Sequence, residues 1–471
     1  MPRTIPFAPP EGDDLFSRRP VTIAALELNV ITPMFGGGST PGESDADWPV
    51  RPSGILGQLR FWWRACNVRQ FETIDQMLEA EAAIWGSSHD ASNPASGPGL
   101  LNATVRIRNS GNETARLQGP ALATFPFRES DHGGRTGIEF ALELTAPANA
   151  TEGQLTGAAH AARQAIWGWI TFGGVGSRTR RGCGSLRCMG DVAGRTPWVL
   201  AESFIPDSHT LDGVETWIRM NTESLVERGT GVTWDRGILF VPTLFDSVMI
   251  AGSLENNANQ AWEKAVNPLA DFRQGEGVGR NTGKSGGVGA RPAHAHRPGQ
   301  SRWPEPGAIR GLKMMARGLL DGDGHAYKCV PGATGASFPR ADLGLPIVFE
   351  MERDETRVNL SDYSVTLAMN GYKRTRLASP LLLKPLAVAN SKYLPIAVLL
   401  TAPHTWDFPP PQLSLKQGNH TIRDLGSSPM NTPVLPWPWK ETPPGVVGAV
   451  SARNAFLNYL TETLERTRFV L

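Results

Sequence analysis

Glycine and arginine are interleaved between residues 173 and 184 in a pattern that could hold a polyanion. Three arginines, Arg178, Arg180 and Arg181, supply guanidinium groups that keep their charge and donate hydrogen bonds in a fixed fork. Glycines remove side chains where a backbone must approach a ligand or take positive φ. They are Gly173, Gly174, Gly176, Gly182 and Gly184. The pattern predicts a phosphate-binding loop, and the alternative is a solvated surface loop that carries arginines by chance.

The residues on either side of this run predict the elements that position it. A short apolar run near Leu186 predicts a strand after the glycines. This order of helix, loop and strand is the reverse of a dinucleotide-binding loop, and Thr179 stands where that fingerprint needs its third glycine. A Rossmann loop is therefore excluded. The apolar residues that recur at helical spacing before the glycines are Leu155, Ala158, Ala162, Ile166 and Trp169.

Composition limits the classes of protein to which the chain can belong. Its 471 residues suit two domains of ordinary size, and 46 Lys+Arg against 45 Asp+Glu give a net charge of +1. Any affinity for nucleic acid must then come from local clusters of charge. The four cysteines form no Cys-x-x-Cys pair, so no metal or other cofactor is indicated. Without an apolar leader or a spanning segment, we expect a cytoplasmic protein with no membrane partner.

Several stretches, taken with the glycine and arginine run, resemble a known family. The run itself is similar to the glycine-rich loop of the RAMP superfamily of RNA-binding CRISPR proteins. Together the stretches resemble, in the same order, the first-numbered RAMP subunits of type III-B (Cmr) effector complexes. These stretches cover under a third of the chain, and they are Ile31 to Gly38, Arg51 to Arg64, Glu79 to Ser87, Gly173 to Leu186 and Arg297 to Arg310.

The resemblance implies an α+β fold made of two ferredoxin-like (RRM-like) RAMP domains with helical and loop insertions. We place the N-terminal domain at residues 18–202, with its glycine-rich loop at 173–184, and the second domain at 203–471, with a mobile basic insertion at 273–302. Residue periodicity independently predicts the order β-α-β-β-α-β for the first domain. Its strands are expected at 21–31, 100–108, 137–144 and near 186, and its helices from residue 54 and at 155–171.

The second domain is only partly traced from the sequence. We expect two strands separated by Phe245, Asp246 and Ser247, then a helix over 257–272 and a terminal helix that carries Phe456. A second ferredoxin-like unit needs these pieces in the same order as the first. The strands are expected at 238–244, 248–254, 345–351, 365–369 and 393–400.

Further basic residues extend the candidate RNA-binding set. Arg60 and Arg64 lie four residues apart on a predicted helix, opposite its apolar stripe, where they could face solvent, RNA or a neighbouring subunit. The glycine-rich stretch 273–302 carries six basic residues and one acid, so it is expected to wrap a polyanion. Trp303 at its end is the favoured base-stacking residue. The basic residues selected there are Lys284, Arg291, Arg297 and Arg302.

Two functions of different classes follow. The first is a non-catalytic RNA-binding subunit of a type III-B CRISPR ribonucleoprotein. The resemblance implies that such a subunit lies near the 3′ end of the guide RNA and helps to capture target RNA, with guide RNA, target RNA and other RAMP subunits as partners. The alternative is a metal-independent endoribonuclease that processes guide RNA, since some RAMP relatives do so. That chemistry needs a general base and a general acid, for which His160, His294 and His296 are the candidates.

Overall fold

The structure is a computed structural model in which antiparallel sheets and helices share one chain. All strand pairs among the described residues are antiparallel, which confirms the mixed α and β class predicted from the sequence. No helix in that part of the chain is long and apolar enough to cross a membrane. The structure describes residues 19–38, 43–87, 97–114, 118–127, 133–229, 241–275, 278, 303, 339–344, 347–349, 365–370, 378–401, 412–417, 420–426 and 452–471.

The first unit is a four-stranded sheet with two long helices. The elements, in chain order, are β1 (Val21–Val30), α1 (Pro52–Asn67), α2 (Ile74–Trp85), β2 (Asn102–Asn109), β3 (Asn112–Glu113), α3 (Ala121–Thr124), β4 (Arg135–Thr136), β5 (Glu139–Ala146), α4 (Glu152–Phe172) and β6 (Leu186–Asp191). The order of the strands in the sheet is β2-β5-β1-β6. All four predicted strands and both predicted helices are present, with ends that differ by a few residues.

Local sequence explains where the helices of this unit begin and how they pack. Thr151 caps α4 by accepting the backbone N–H of Gln154, whose side chain accepts the N–H of Thr151 in return. Helix α1 begins at Pro52, where a missing N–H costs no hydrogen bond. The two helices pack closely because Gly168 of α4 presents no side chain to the ring of Trp62, and a Cβ there would lie 3.1 Å from the Trp62 Cβ.

The second unit repeats this arrangement with a different spacing along the chain. The elements are α5 (Leu211–Leu225), β7 (Thr243–Ala251), α6 (Ala258–Gln274), β8 (Ile347–Phe349), β9 (Val365–Asn370), β10 (Leu381–Ala387), β11 (Tyr393–Thr401), β12 (Gln412–Gln417), β13 (His420–Gly426), α7 (Ala452–Asn458) and β14 (Thr467–Val470). The sheet of this unit has the strand order β10-β11-β7-β14, and a separate sheet has the order β13-β12-β9-β8.

One expectation for the second unit is corrected. Residues 238–240 of the first predicted strand lie outside the described residues, and the end of that strand joins the second predicted strand in β7. The two form one strand because Thr243 and Val248 pair with Thr401 and Leu399 of the same strand, β11, on either side of Asp246, which is left-handed (φ 57°). Ser247 closes the irregular segment by accepting the N–H of Thr401 at 2.8 Å and donating to the carbonyl of Thr243 at 2.7 Å. At the strands expected at 345–351 and 365–369 the structure has β8 and β9; β8 pairs with β9, and β9 pairs with β12, in the separate sheet.

A continuous apolar core joins the two units. Helices α1 and α4 contribute Leu59, Trp62 and Ile166, all almost fully buried, and strands β10 and β11 contribute Leu382 and Ile396 to the same cluster. A second cluster under α6 contains Trp262 and Phe272 together with Cys183 of the glycine-rich run. The predicted phosphate-binding loop therefore lies where the two units meet.

Candidate nucleic-acid interface

The predicted glycine-rich loop packs against a second glycine-rich turn. We call residues 173–184 the glycine loop and residues 32–38 the triple-glycine turn. The turn follows β1 and the loop precedes β6, and these strands are neighbours, so the sheet brings the two segments together. Backbone and side-chain hydrogen bonds hold them in contact. These are Ser177 N–H to Phe35 O (2.6 Å), Gly184 N–H to Pro33 O (3.1 Å) and Thr32 Oγ1–H to Gly182 O (2.6 Å).

Close packing explains most of the glycines. A Cβ on Gly184, which has a φ of +63°, would lie 2.0 Å from the carbonyl oxygen of Val175. A Cβ on Gly176, at φ +79°, would lie 2.5 Å from the Phe35 carbonyl oxygen. Gly176 is nevertheless exposed, whereas Gly173, Gly174 and Gly182 are buried. The structure thus leaves Gly176 as the predicted glycine whose backbone is open to a ligand.

The three arginines of the loop bind backbone carbonyl groups. Arg178 donates from Nε to the carbonyl of Ala123 at 2.9 Å and from Nη2 to that of Leu122 at 2.6 Å, which attaches α3 to the loop. Arg181 donates to the carbonyl of Leu381 at 2.7 Å. The three side chains are half-buried. They are therefore clamps between segments of the fold, in contrast to the freely exposed groups that the sequence suggests.

Arg180 connects the loop to two other elements. It donates from Nη1 to the Ser379 carbonyl just before β10. Its guanidinium also lies over the Phe61 ring of α1, 5.6 Å from the ring centre, in a cation–π contact. The predicted helix of Arg60 and Arg64 is thus adjacent to the glycine loop.

These guanidinium groups carry positive charge that no nearby carboxylate offsets. Arg178, Arg180 and Arg181 form no ion pair with an acidic residue within the part of the chain that the structure describes. Burial lowers the pKa of Arg178 and Arg180, and burial together with repulsion from Arg178, Arg273 and Arg180 lowers the pKa of Arg181 to about 9. A polyanion at this position would stabilise the charged form of each group.

Arg60 and Arg64 are brought together by a carboxylate of α2. Glu81 is fully buried, and it accepts from Arg60 Nε and from Arg64 Nη1, the latter at 3.0 Å. The two arginine side chains stay 32% and 29% exposed. Two guanidinium groups on one carboxylate leave one positive charge, so the pair can still attract an anion while it fastens α1 to α2.

Among the candidate residues in and just after the basic stretch that follows α6, Trp303 is the one that the structure describes. Lys284, Arg291, Arg297 and Arg302 lie outside the described residues. Trp303 is described, and its indole is buried: Nε1–H donates to the Phe272 carbonyl at 3.2 Å, and the Phe272 ring meets it edge-on at 5.2 Å. Arg340 lies over the same ring. Trp303 thus packs in the core of the second unit, whereas the sequence analysis predicts an exposed surface for base stacking.

A buried lysine lies beneath the loop at a position that no sequence motif indicates. Lys384 of β10 is fully buried, and its Nζ donates to the carbonyl groups of Ile170 at 2.9 Å and Gly173 at 2.7 Å. These carbonyls end α4, where a positive charge is favourable. Burial lowers the pKa of Lys384 to about 7. The sequence feature that could have indicated this lysine is a single charged residue within the otherwise apolar run of residues 381–387.

Lys384 predicts a pH dependence of stability. Its folded pKa of about 7 lies below the ordinary value of 10.5, so the unfolded chain binds more protons between these values and stability rises with pH there. We expect the unfolding free energy of the wild type to gain about 2 kcal/mol over Lys384→Met between pH 7 and 9. Urea unfolding at both pH values measures it. Lys264→Met, which removes an exposed lysine, is the control, and parallel curves for wild type and Lys384→Met would refute the prediction.

Comparison with known proteins finds a family similar to the first unit. The sequence model of the RAMP superfamily matches residues 27–187, from within β1 to within β6. This part of the chain is similar to RAMP superfamily domains. No curated protein matches the sequence significantly.

Two solved structures are similar at the level of the chain trace. One is a cryo-EM structure of the type III-B Cmr-beta bound to cognate target RNA, with 12% identity and a TM-score of 0.45. The other is type III-B Cmr-beta bound to cognate target RNA and AMPPnP, state 2, in the presence of ssDNA, with 9% identity and a TM-score of 0.44. Both alignments cover 81% of this chain and 95% of the other.

Proposed function

We propose that this chain is a non-catalytic RNA-binding subunit of a type III-B CRISPR ribonucleoprotein. In this proposal it is the first-numbered RAMP subunit, acts in the cytoplasm near the 3′ end of the guide RNA, and aids the capture of target RNA in antiviral defence. Its partners are the guide RNA, the target RNA and other RAMP subunits. The similarity to RAMP domains at residues 27–187 supports the class, and the motifs of the sequence support the finer assignment.

The proposal includes two ferredoxin-like domains. In the first unit the strands counted in chain order as first to fourth are β1, β2, β5 and β6, and they lie in the order second, third, first, fourth. In the second unit β7, β10, β11 and β14 lie in the same order, with α6 after the first strand and α7 before the fourth. These are the strand orders expected of β-α-β-β-α-β ferredoxin-like units, and they support the two-domain proposal.

One observation carries the RNA-binding role. Three half-buried guanidinium groups of the glycine loop meet no described carboxylate, and repulsion between them adds to the cost of burial. Backbone phosphates are the ligand that offsets such a cluster without regard to base sequence. The exposed backbone at Gly176 adjoins this cluster and gives a phosphate room to approach.

The endoribonuclease remains the second candidate, and the position of His160 argues against cleavage at the glycine loop. His160 is exposed on α4, and 13 residues of helix separate it from Gly173, which corresponds to roughly 20 Å at 1.5 Å per residue. A general base must be within hydrogen-bonding reach of the proton that it removes. His160 therefore cannot act on a phosphate held by the glycine loop. His294 and His296 lie outside the described residues.

Binding and cleavage assays on the full-length protein test the proposal. We expect two single-stranded RNAs of unrelated sequence to bind with similar affinity, and the affinity to fall linearly with salt on a log–log plot. Both RNAs should stay intact over hours, with or without divalent metal. The absence of salt-dependent binding would refute the proposal. Defined products that disappear on changing a histidine would favour the endoribonuclease.

A further inference from the structure

We propose that Trp48 and Phe125 are stacking surfaces for unpaired RNA bases beside the glycine loop. This inference rests on the proposed function and adds to it the contact with the bases. Both rings are unusually exposed for their size, with Trp48 at 57% and Phe125 at 52%. Neither residue belongs to the candidate set that the sequence predicts.

The sheet of the first unit offers no alternative stacking surface. An RRM stacks bases on aromatic side chains of its open sheet face. The one aromatic residue in β1, β2, β5 and β6 is Phe140, which is fully buried. The open face instead carries charges that neutralise one another, with Arg108 paired to Glu27 at 2.6 Å. Bases that follow a bound backbone must therefore find aromatic rings elsewhere.

Trp48 is held rigidly beside the triple-glycine turn. Asp45 Oδ1 accepts the backbone N–H of Trp48 at 3.0 Å, and Asp45 Oδ2 accepts Arg51 Nη2 at 3.1 Å, so this turn has a fixed shape. The next residue, Pro49, is buried, and its carbonyl oxygen lies 2.7 Å from the place of a Cβ on Gly37. The turn thus anchors the backbone of Trp48 while its ring stays in solvent.

Phe125 lies in a segment that Arg178 binds. The Arg178 guanidinium binds the carbonyl of Ala123, two residues before Phe125. Phe127 stacks on Phe35 of the triple-glycine turn with ring centres 4.3 Å apart and planes at 3°. The segments of Phe125 and Trp48 therefore both contact the triple-glycine turn, which packs against the glycine loop that carries the guanidinium groups. Exposed rings near a cluster of positive charge are expected for a sequence-tolerant single-strand site.

The contrast between intact and abasic RNA tests the inference. Wild type should bind an intact single-stranded oligonucleotide about tenfold more tightly, or better, than an oligonucleotide of the same length with abasic sites. The double variant Trp48→Ala/Phe125→Ala should lose this preference. It should keep the salt dependence of binding, because its phosphate contacts are unchanged. Trp48→Phe should retain the preference, since a ring remains.

Controls separate stacking from folding and from the proposed function. Trp198→Ala removes another exposed indole (46%). It lies next to Val199, which pairs with Ile23 at the opposite end of β1 from the triple-glycine turn. This variant should bind RNA with the affinity of the wild type, and all variants should have the melting temperature of the wild type. An undiminished preference for intact RNA in the double variant would overturn the stacking inference alone. A wild type without affinity for RNA would overturn the proposed function and this inference with it.

Discussion

Changing Arg178, Arg180 and Arg181 together to Gln should weaken binding of single-stranded RNA by about a hundredfold at 150 mM salt. Each phosphate that is no longer neutralised also reduces the salt dependence, so the log–log slope should fall in magnitude by about 2 when three such phosphates are released. Fluorescence anisotropy at several salt concentrations measures both quantities. Gln is chosen because it removes the charge and keeps an amide N–H at the position of the guanidinium Nε, the atom by which Arg178 binds the Ala123 carbonyl.

Two further variants give this experiment its controls. A triple Gln variant at exposed positions outside the two loops, Arg106, Arg195 and Arg219, removes the same net charge and should change the slope little. The triple Ala variant of the loop should bind RNA as weakly as the Gln variant and also be less stable, because the carbonyl groups of Ala123, Ser379 and Leu381 are left without these donors. Equal RNA affinity of wild type and loop Gln variant would contradict the phosphate-binding role.

Glu81→Ala should lower the unfolding free energy by about 3 to 5 kcal/mol, because removing one partner of a buried ion pair leaves charge without compensation. Glu81 is fully buried between Arg60 and Arg64, and among the described residues it is the carboxylate that joins them. Chemical denaturation measures the loss, and Glu79→Ala, at an exposed position of the same helix, should stay within about 0.5 kcal/mol of wild type. A similar stability of the two variants would contradict the prediction.

The same variant separates two roles of the arginine pair. If Arg60 and Arg64 act only as a structural clamp, RNA affinity measured below the unfolding temperature should be unchanged in Glu81→Ala. If they also contact RNA, the affinity should rise, since their charge is no longer offset. A fall in RNA affinity of the folded variant would contradict both roles.

Periodicity predicted the first unit well because its elements are regular and amphipathic. Helix α4 reads as one apolar stripe that ends in glycine, and residues 26–30 of β1 and 142–146 of β5 alternate as half-buried strands do. The prediction of a break between two strands around Asp246 was wrong. A strand can include one left-handed residue when a side chain such as that of Ser247 satisfies the displaced backbone groups. Periodicity carries no information about such compensation.

The candidate site was predicted in place but not in its environment. The arginine and glycine types identified the loop, yet burial depends on segments up to 200 residues away, as for Arg181 and Leu381. The pairing of Arg60 and Arg64 with Glu81 likewise depends on how α1 crosses α2. Lys384 and Trp48 were missed because neither belongs to a motif. The position of Lys384 is explained by the carbonyl groups at the end of α4, and that of Trp48 by a turn that Asp45 stabilises.

In the part of the chain that the structure describes, Arg180 and Arg181 reach the second unit by hydrogen bonds to main-chain oxygen atoms. Such contacts depend on the path of the polypeptide and not on the identity of the side chains at positions 379 and 381. Substitutions at those positions that respect the core can therefore accumulate without disturbing the charge cluster. The insertion or deletion of a single residue there would shift each carbonyl by one strand position and turn it away from its guanidinium. The junction between the units thus tolerates change in residue type and constrains chain length.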